Sequence, residues 1–341
     1  GALWGYDTPS GQRFPCVDVP TATTTKGPPM TKHKRLISIA GTDIDRLSPM
    51  QLKESILKSE GRVICGQHLL FANAGLVRGV TNSELMFSFG ADMVMLNTFN
   101  FDDDSKSLDL QGLSYQELRA LCRRPVGVYM GCPGTDADVE DDLYDRGGML
   151  ATPEHVERAV GMGADFIVLG GNPGSGTRIA DVLATTARVK GCYGDDVFVW
   201  AGKWEDGVTE PVLGDPLAKA RGRDDGEIVR QLIDAGADCI DLPAPGTRSG
   251  VGVNDVRELV TLVHSHKPGT LAMSFLNSSV EGADTATIRK VALKIKETGA
   301  DIIAMGDGEF AGGSSPENIH QLSISIKGMP YTYYRMASVN R

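Results

Sequence analysis

The tripeptide Gly-Ala-Asp recurs at residues 90–92, 163–165, 236–238 and 299–301, in steps of 73, 73 and 63 residues. In FGADM, MGADF, AGADC and TGADI the glycine closes an amphipathic stretch, where a left-handed residue ends a helix, and the aspartate opens an apolar run. Each interval holds two apolar runs and two amphipathic stretches, so the chain divides into four quarters. The eight runs are VICGQHLL (63–70), MVMLNT (93–98), VGVYMG (126–131), FIVLGG (166–171), VFVWAG (197–202), CIDLPA (239–244), TLAMSF (270–275) and IIAMGD (302–307). Each has the length and character of a strand buried on both faces. Helical stretches such as SYQELRALCRR, TPEHVERAVGMG and DTATIRKVALKIKETG lie between them, and strict alternation of strand and helix implies a parallel sheet. Four quarters of two units predict a single (βα)8 TIM barrel. The span from Val63 to Lys327 is close to the roughly 250 residues typical of that fold.

The barrel and its C-terminal tail are assigned to residues 35–341. Residues 1–34 form an N-terminal arm, which at 1–29 is rich in Pro, Thr and Gly and lacks helical or strand periodicity. Ser48 stands at a capping position before SPMQLKESILKSEG, which predicts a first helix over 48–60. The chain carries 44 acidic against 34 basic residues, a formal charge of −10, with no Lys/Arg block, so nucleic acid is not an expected partner. No apolar run approaches the roughly 18–20 residues of a membrane span, and the first 30 residues contain no apolar signal core. Six scattered cysteines form no CxxC pair. A cytoplasmic protein with reduced thiols is expected, with no membrane partner.

In a barrel of this kind the active site lies at the carboxyl ends of the strands. The polar candidates there are His68, Asn97, Asn172, Lys203, Asp241, Ser274, Asn277, Asp307 and Glu309. GDGEFAGGSSPENIHQL (306–322) places Gly312, Gly313, Ser314 and Ser315 before a helix with Pro316 in its first turn. That is how such a barrel holds a phosphate after strands 7 and 8, through glycine-exposed amides and a helix N-terminus. The simpler alternative is that Ser315 caps the helix and the glycines make the turn. A second junction, GGNPGSGT (170–177), offers Ser175 and Gly176 either to another anionic group or to a plain tight turn.

Lys203 directly follows VFVWAG, and a lysine walled by apolar residues can become a nucleophile toward a carbonyl. It could instead pair with Asp241 or neutralise a phosphate. No cofactor is required by the pattern; a divalent metal held by Asp241, Asp307, Glu309 and His68 is the alternative, though no HxH or HExxH spacing anchors it. His264 and His266 close a helix and suit its negative dipole end. Two long junctions, 132–151 and 203–222, could cover a substrate or form an oligomer contact. DADVEDD in the first reads as a solvated acidic face.

VTNSELMFSFGADMVMLNTFN, GADFIVLGGNPGSG, VWAGK, DLPAPGT and GDGEFAGGSSPENIHQLSISIKGMPYTYYRMASVNR resemble a bacterial TIM-barrel family of unassigned activity, over residues 35–341. Its members are often labelled haloacid dehalogenase-like hydrolases and are associated with phosphotransferase-system sugar operons, which implies a phosphorylated sugar or a product of one. The hydrolase label would need Asp43 and Asp45 of GTDIDRL and Asp307 of GDGEF to act together, and both motifs are incomplete. The family pattern has a histidine shortly after the lysine, where this chain has Trp204 and Glu205.

The expectation is an enzyme acting on a small phosphorylated sugar or oxo compound, of aldolase, lyase or isomerase type. Lys203, Asp241 and Asp307 would be catalytic. Gly312, Gly313, Ser314, Ser315, Asn172, Ser175, Gly176, Asn97 and His68 would bind substrate or phosphate. The alternative is a catalytically silent sugar-phosphate-binding barrel, using its long loops or an exposed tail at 331–336. A homo-oligomer is expected in either case.

Overall fold

The aspartate of each of these four repeats is clasped to one residue of the preceding strand. Asp92, Asp165, Asp238 and Asp301 accept the amides of Ile64, Val126, Val199 and Ala272 at 2.8–3.0 Å. Their own amides donate to the carbonyls of those same four residues, at 2.8–3.1 Å. Gly90, Gly163, Gly236 and Gly299, at φ between 83° and 114°, supply the left-handed turn that brings each aspartate back to the strand. The repeat is therefore a fourfold joint that sets the register of one strand pair per quarter.

A computed structural model describes residues 34–70, 75–134, 147–205, 210–307 and 312–338. The N-terminal arm up to residue 33, the acidic DADVEDD stretch, part of the 203–222 junction and Glu309 lie outside the described residues. The strands are β1 Val63–Leu69, β2 Met93–Asn97, β3 Val126–Gly131, β4 Ile167–Gly170, β5 Val199–Gly202, β6 Cys239–Pro243, β7 Leu271–Leu276 and β8 Ile302–Met305. All pair in parallel and in order, and β1 pairs with β8, so the sheet closes into the (βα)8 barrel that the repeat predicts.

The helices are α1 Thr42–Asp45, α2 Pro49–Leu57, α3 Asn82–Ser88, α4 Tyr115–Cys122, α5 Pro153–Gly161, α6 Ile179–Tyr193, α7 Pro216–Ala220, α8 Asp225–Asp234, α9 Val253–His266, α10 Thr285–Thr298 and α11 Pro316–Ala337. Ser48 caps α2 through a reciprocal bond with Gln51, but the helix stops at Leu57 rather than 60, because Glu60 (φ 56°) and Gly61 (φ 71°) turn the chain into β1.

Strand alternation separates two cores. Outward residues such as Ile64, Val94, Leu96, Ile240 and Leu242 pack against the helices. Inward residues, including Val63, Met93, Phe166, Trp200, Cys239 and Ile302, form a second core with Leu36, Ile37, Ile39, Ile44, Leu52 and Ile56. The segment from Leu36 to Leu57 thus plugs the amino-terminal end of the barrel and leaves the carboxyl end for function. Complete burial of side chains this size contributes about 1.5–3 kcal/mol each.

The segment 331–336 is not an exposed tail. It continues α11 past a kink at Gly328, and Thr332 and Arg335 are fully buried. Arg335 donates to Asp92 and to the carbonyls of Leu36 and Ile39, which ties the end of the chain to the plug. His264 and His266 do more than face a helix dipole, since they bond Asp301 and Asp234, each at 2.8 Å.

Candidate active site

In the even strands, three inward positions follow each clasp aspartate. The first holds Met93, Phe166, Cys239 and Ile302, and the second holds Met95, Val168, Asp241 and Ala304. Asp241 therefore occupies a core position that is apolar in the other three quarters. It is completely buried, and among the described residues neither carboxyl oxygen has a hydrogen-bond partner. Burial pushes its pKa well above the usual carboxylate range, with the Cys239 thiol on the same strand pulling the other way. Burial thus favours the neutral acid, the form able to donate a proton or a hydrogen bond. The Lys203–Asp241 ion pair considered from sequence is not formed. Gly202, paired with Asp241 in the sheet, has to be glycine, because a Cβ there would stand 2.1 Å from the Asp241 carbonyl oxygen.

One layer further toward the mouth, the third inward positions are Asn97, Gly170, Pro243 and Gly306. Trp204 lies across this layer. Its ring stacks on Phe275 (5.8 Å between centroids, 23°), meets Tyr129 edge-on at 6.1 Å and fills the space over Gly170, where a Cβ would approach it to 2.5 Å. Trp204 is 4% exposed and so roofs the sector of the interior that contains Asp241.

The rim brings together several expected residues. Asn172 donates to Asn97 at 3.4 Å, and both are buried. Thr98, next in the chain, has φ 61°, a strained conformation for a β-branched residue, of the kind that clusters at functional sites. Lys203 sits immediately after β5 and is 3% exposed, with its carbonyl accepting the Leu213 amide. Asp307 lies two residues past β8 and is partly exposed. Asn277 is buried after β7. Ser274 falls on the outward parity of β7 and bonds the Pro243 carbonyl.

The glycine-rich turn is anchored against β1. Ser314 donates its amide to the Gln67 carbonyl, its hydroxyl bonds the Met305 carbonyl and accepts the Gln67 amide, and Leu69 donates to Gly312. Gly313 is required by contact, since a Cβ would meet Asn82 at 2.8 Å. Ser315 caps α11 by accepting the Asn318 amide. At the other junction, the Thr177 amide donates to Ser175 and Gly176 turns at φ 73°. Glu210 places a carboxylate on the first amide of α6 at 2.6 Å, so an internal side chain already serves that helix start.

His68 is not brought to the rim. Val63, Cys65 and Gln67 take the inward parity of β1, which turns His68 out toward α3, fully buried between Ser83 (Nδ1, 2.7 Å) and Asp109 (Nε2, 2.6 Å). The same parity makes Gln67 an inward residue at the mouth, and it extends the β5 series of Trp200 and Gly202 to Trp204. Gln67 was not singled out from sequence and Trp204 was noted only as a departure from the family pattern, although a period of two was enough to find both. Glu281, buried between β7 and α10 with its carboxyl 2.9 Å from where a Gly306 Cβ would sit, carried no such signal. Among the described residues no three His, Cys, Asp or Glu side chains are grouped as metal ligands. Asp43 pairs with Lys34, and Asp45 with Arg119 and Arg123, on the side of the plug, at the opposite end of the barrel from Asp307. These three aspartates therefore cannot form a phosphohydrolase centre.

The chain belongs to the family described as Domain of unknown function (DUF7916), whose profile matches residues 37–341. That description gives the haloacid dehalogenase label no support. No curated protein matches the chain. Among solved structures it is similar to an archaeal fructose 1,6-bisphosphate aldolase, at 14% identity and TM-score 0.50 over 81% of this chain and 99% of that one. It is similar also to a Schiff base forming fructose-1,6-bisphosphate aldolase, at 14% and 0.50 over 80% and 99%. These likenesses establish the barrel fold. Among the described residues no helix is long and apolar enough to cross a membrane.

Proposed function

We propose that this DUF7916 member is an enzyme that cleaves or isomerises a small phosphorylated sugar or oxo compound at the carboxyl end of its barrel. The observation that carries the reading is Asp241. A carboxyl fully buried without a partner, where the other quarters place Met95, Val168 and Ala304, works against stability, and that pattern marks catalytic positions. In this reading the neutral Asp241 delivers a proton or hydrogen bond to the substrate carbonyl oxygen. Lys203 attacks or polarises the carbonyl carbon: on attack the amine adds, the oxygen leaves as water, and the iminium withdraws electrons from the bond to be broken. Asp307 moves the second proton, and Asn97 and Asn172 orient hydroxyls. The phosphate is assigned to the 312–315 turn. Ser314 and Ser315 already hold the turn and cap α11, so the anion contacts fall to backbone amides there and to the positive end of the helix.

Thermal unfolding against sugar phosphates, phosphorylated oxo-acids and inorganic phosphate identifies the ligand class, because a ligand at a hundred times its Kd adds about 2.7 kcal/mol. Borohydride reduction with that ligand should then add its mass to the Lys203 peptide. An unmodified peptide from enzyme that turns the compound over overturns the covalent route. A silent sugar-phosphate-binding barrel is the second reading, and the closed Trp204 roof favours it. Tight binding without conversion, and a Lys203→Ala variant altered only in affinity, would select it.

A further inference from the structure

Four of the buried side-chain atoms without a hydrogen-bond partner among the described residues lie on the inward face of β5, its continuation and β6. They are Trp200 Nε1, Trp204 Nε1, Asp241 Oδ1 and Asp241 Oδ2. Native interiors leave few such atoms, and two adjacent strands holding four need a reason. The chemistry is one-sided. An indole N–H can only donate, and burial favours the protonated form of the carboxyl, which has an O–H to give. Neither indole is hydrogen-bonded by this sector: apart from Asp241, whose oxygens do not bond them, the inward neighbours include Phe166, Phe198 and Met273, the Cys239 thiol, and Gly202. The Trp204 ring lies one layer above Asp241, spanning from Tyr129 and Gly170 to Phe275.

We propose that Trp204 Nε1–H and the Asp241 carboxyl form a paired donor site for a single ligand oxygen that gains negative charge during the reaction. Trp204 is then a substrate-contacting residue as well as a roof. The inference rests on the proposed function for its substrate class and adds to it the second donor and the electronic character of the group bound. The ligand group is an acceptor with enolate-like or carbonyl character, and a hydroxyl would serve less well. Donors aimed at developing charge in a dry site are among the strongest catalytic devices available. If Lys203 adds covalently, the same pair holds the carbinolamine oxygen until it departs as water.

The test uses the full chain labelled with 15N-tryptophan, whose three indoles, Trp4, Trp200 and Trp204, are assigned with the aid of Trp204→Phe. The probes are acetohydroxamate and phosphoglycolohydroxamate, both enolate-like, and glycerol 3-phosphate, which has no carbonyl oxygen. Both hydroxamates should shift the Trp204 indole signal, whereas glycerol 3-phosphate should bind and leave it in place. By calorimetry, Trp204→Phe should weaken the hydroxamates about tenfold and leave glycerol 3-phosphate unchanged. Failure of both hydroxamates to bind or to move that indole overturns the proposal, as does equal weakening of all probes. The wild-type spectra decide the matter even where the variant does not fold. If acetohydroxamate shifts the indole and the phosphorylated probe binds no tighter, the phosphate reading fails and the donor pair stands.

Discussion

Lys327 donates to Asp92 at 2.6 Å, and both side chains are wholly excluded from solvent. Arg335 bonds the other Asp92 oxygen at 2.8 Å, and Arg124, 1% exposed, bonds the Arg335 carbonyl. One carboxylate thus pairs with two buried cations, and a third packs behind them. Burial, with the neighbouring Arg335 acting the same way and Asp92 opposing, lowers the Lys327 pKa to about 8.

The four clasps should differ in energy according to what each aspartate neutralises. Asp92→Asn strands buried cations and is expected to cost about 3–5 kcal/mol. Asp301→Asn, whose partner His264 is 38% exposed on its side chain, should cost least, with Asp165→Asn and Asp238→Asn between. Urea denaturation gives the order directly. Equal losses at all four would mean that the backbone joint alone matters.

Replacing Asp241 by valine, the residue at the matching position in β4, should stabilise the protein by about 1 kcal/mol and abolish turnover. The sign follows from linkage. With its pKa raised, the native carboxyl keeps a proton that the unfolded chain gives up above the ordinary value of about 4, so its contribution to stability is lost as pH rises. Unfolding free energies measured from pH 5 to 8 should therefore decline less steeply in Asp241→Val than in the wild type.

His68→Ala should lower stability by about 2–4 kcal/mol, because it leaves the Asp109 carboxylate buried beside a cavity. Phosphate-ligand affinity under folding conditions should stay within about twofold, a difference of some 0.4 kcal/mol. Denaturation and calorimetry on the same preparation separate the two effects. Lost affinity at unchanged stability would return His68 to the site.

Gly170→Ala should displace the roof, since its methyl would fall 2.5 Å from the Trp204 ring. A cost of about 1–3 kcal/mol and red-shifted tryptophan emission are expected. Unaltered emission would show that Trp204 is not packed over Gly170.

Much of this protein was legible without coordinates. The Gly-Ala-Asp spacing was enough to predict a closed barrel in quarters, and each strand falls within two residues of its apolar run, because sheet burial on both faces imprints itself on a local stretch. Lys203, Asn97 and Asn172 could be placed at the mouth because the carboxyl end of a strand is a position along the chain. His68, Ser274 and Trp204 were misjudged or missed for want of parity, a period-two signal that was present in VICGQHL and VFVWAGKW.

What the sequence determined by itself was therefore periodic: strand, helix, turn and the fourfold joint, each governed by neighbours a few residues away. What only the tertiary structure decided was partnership. His68 becomes a strut because Asp109, 41 residues on, reaches it, and Asp92 becomes a buried charge centre because Lys327 lies 235 residues away. Asp241 stands out because, among the described residues, no hydrogen bond meets its carboxyl oxygens. Whether a buried polar group is satisfied depends on donors and acceptors that only folding brings within 3 Å, and no local pattern encodes that distance.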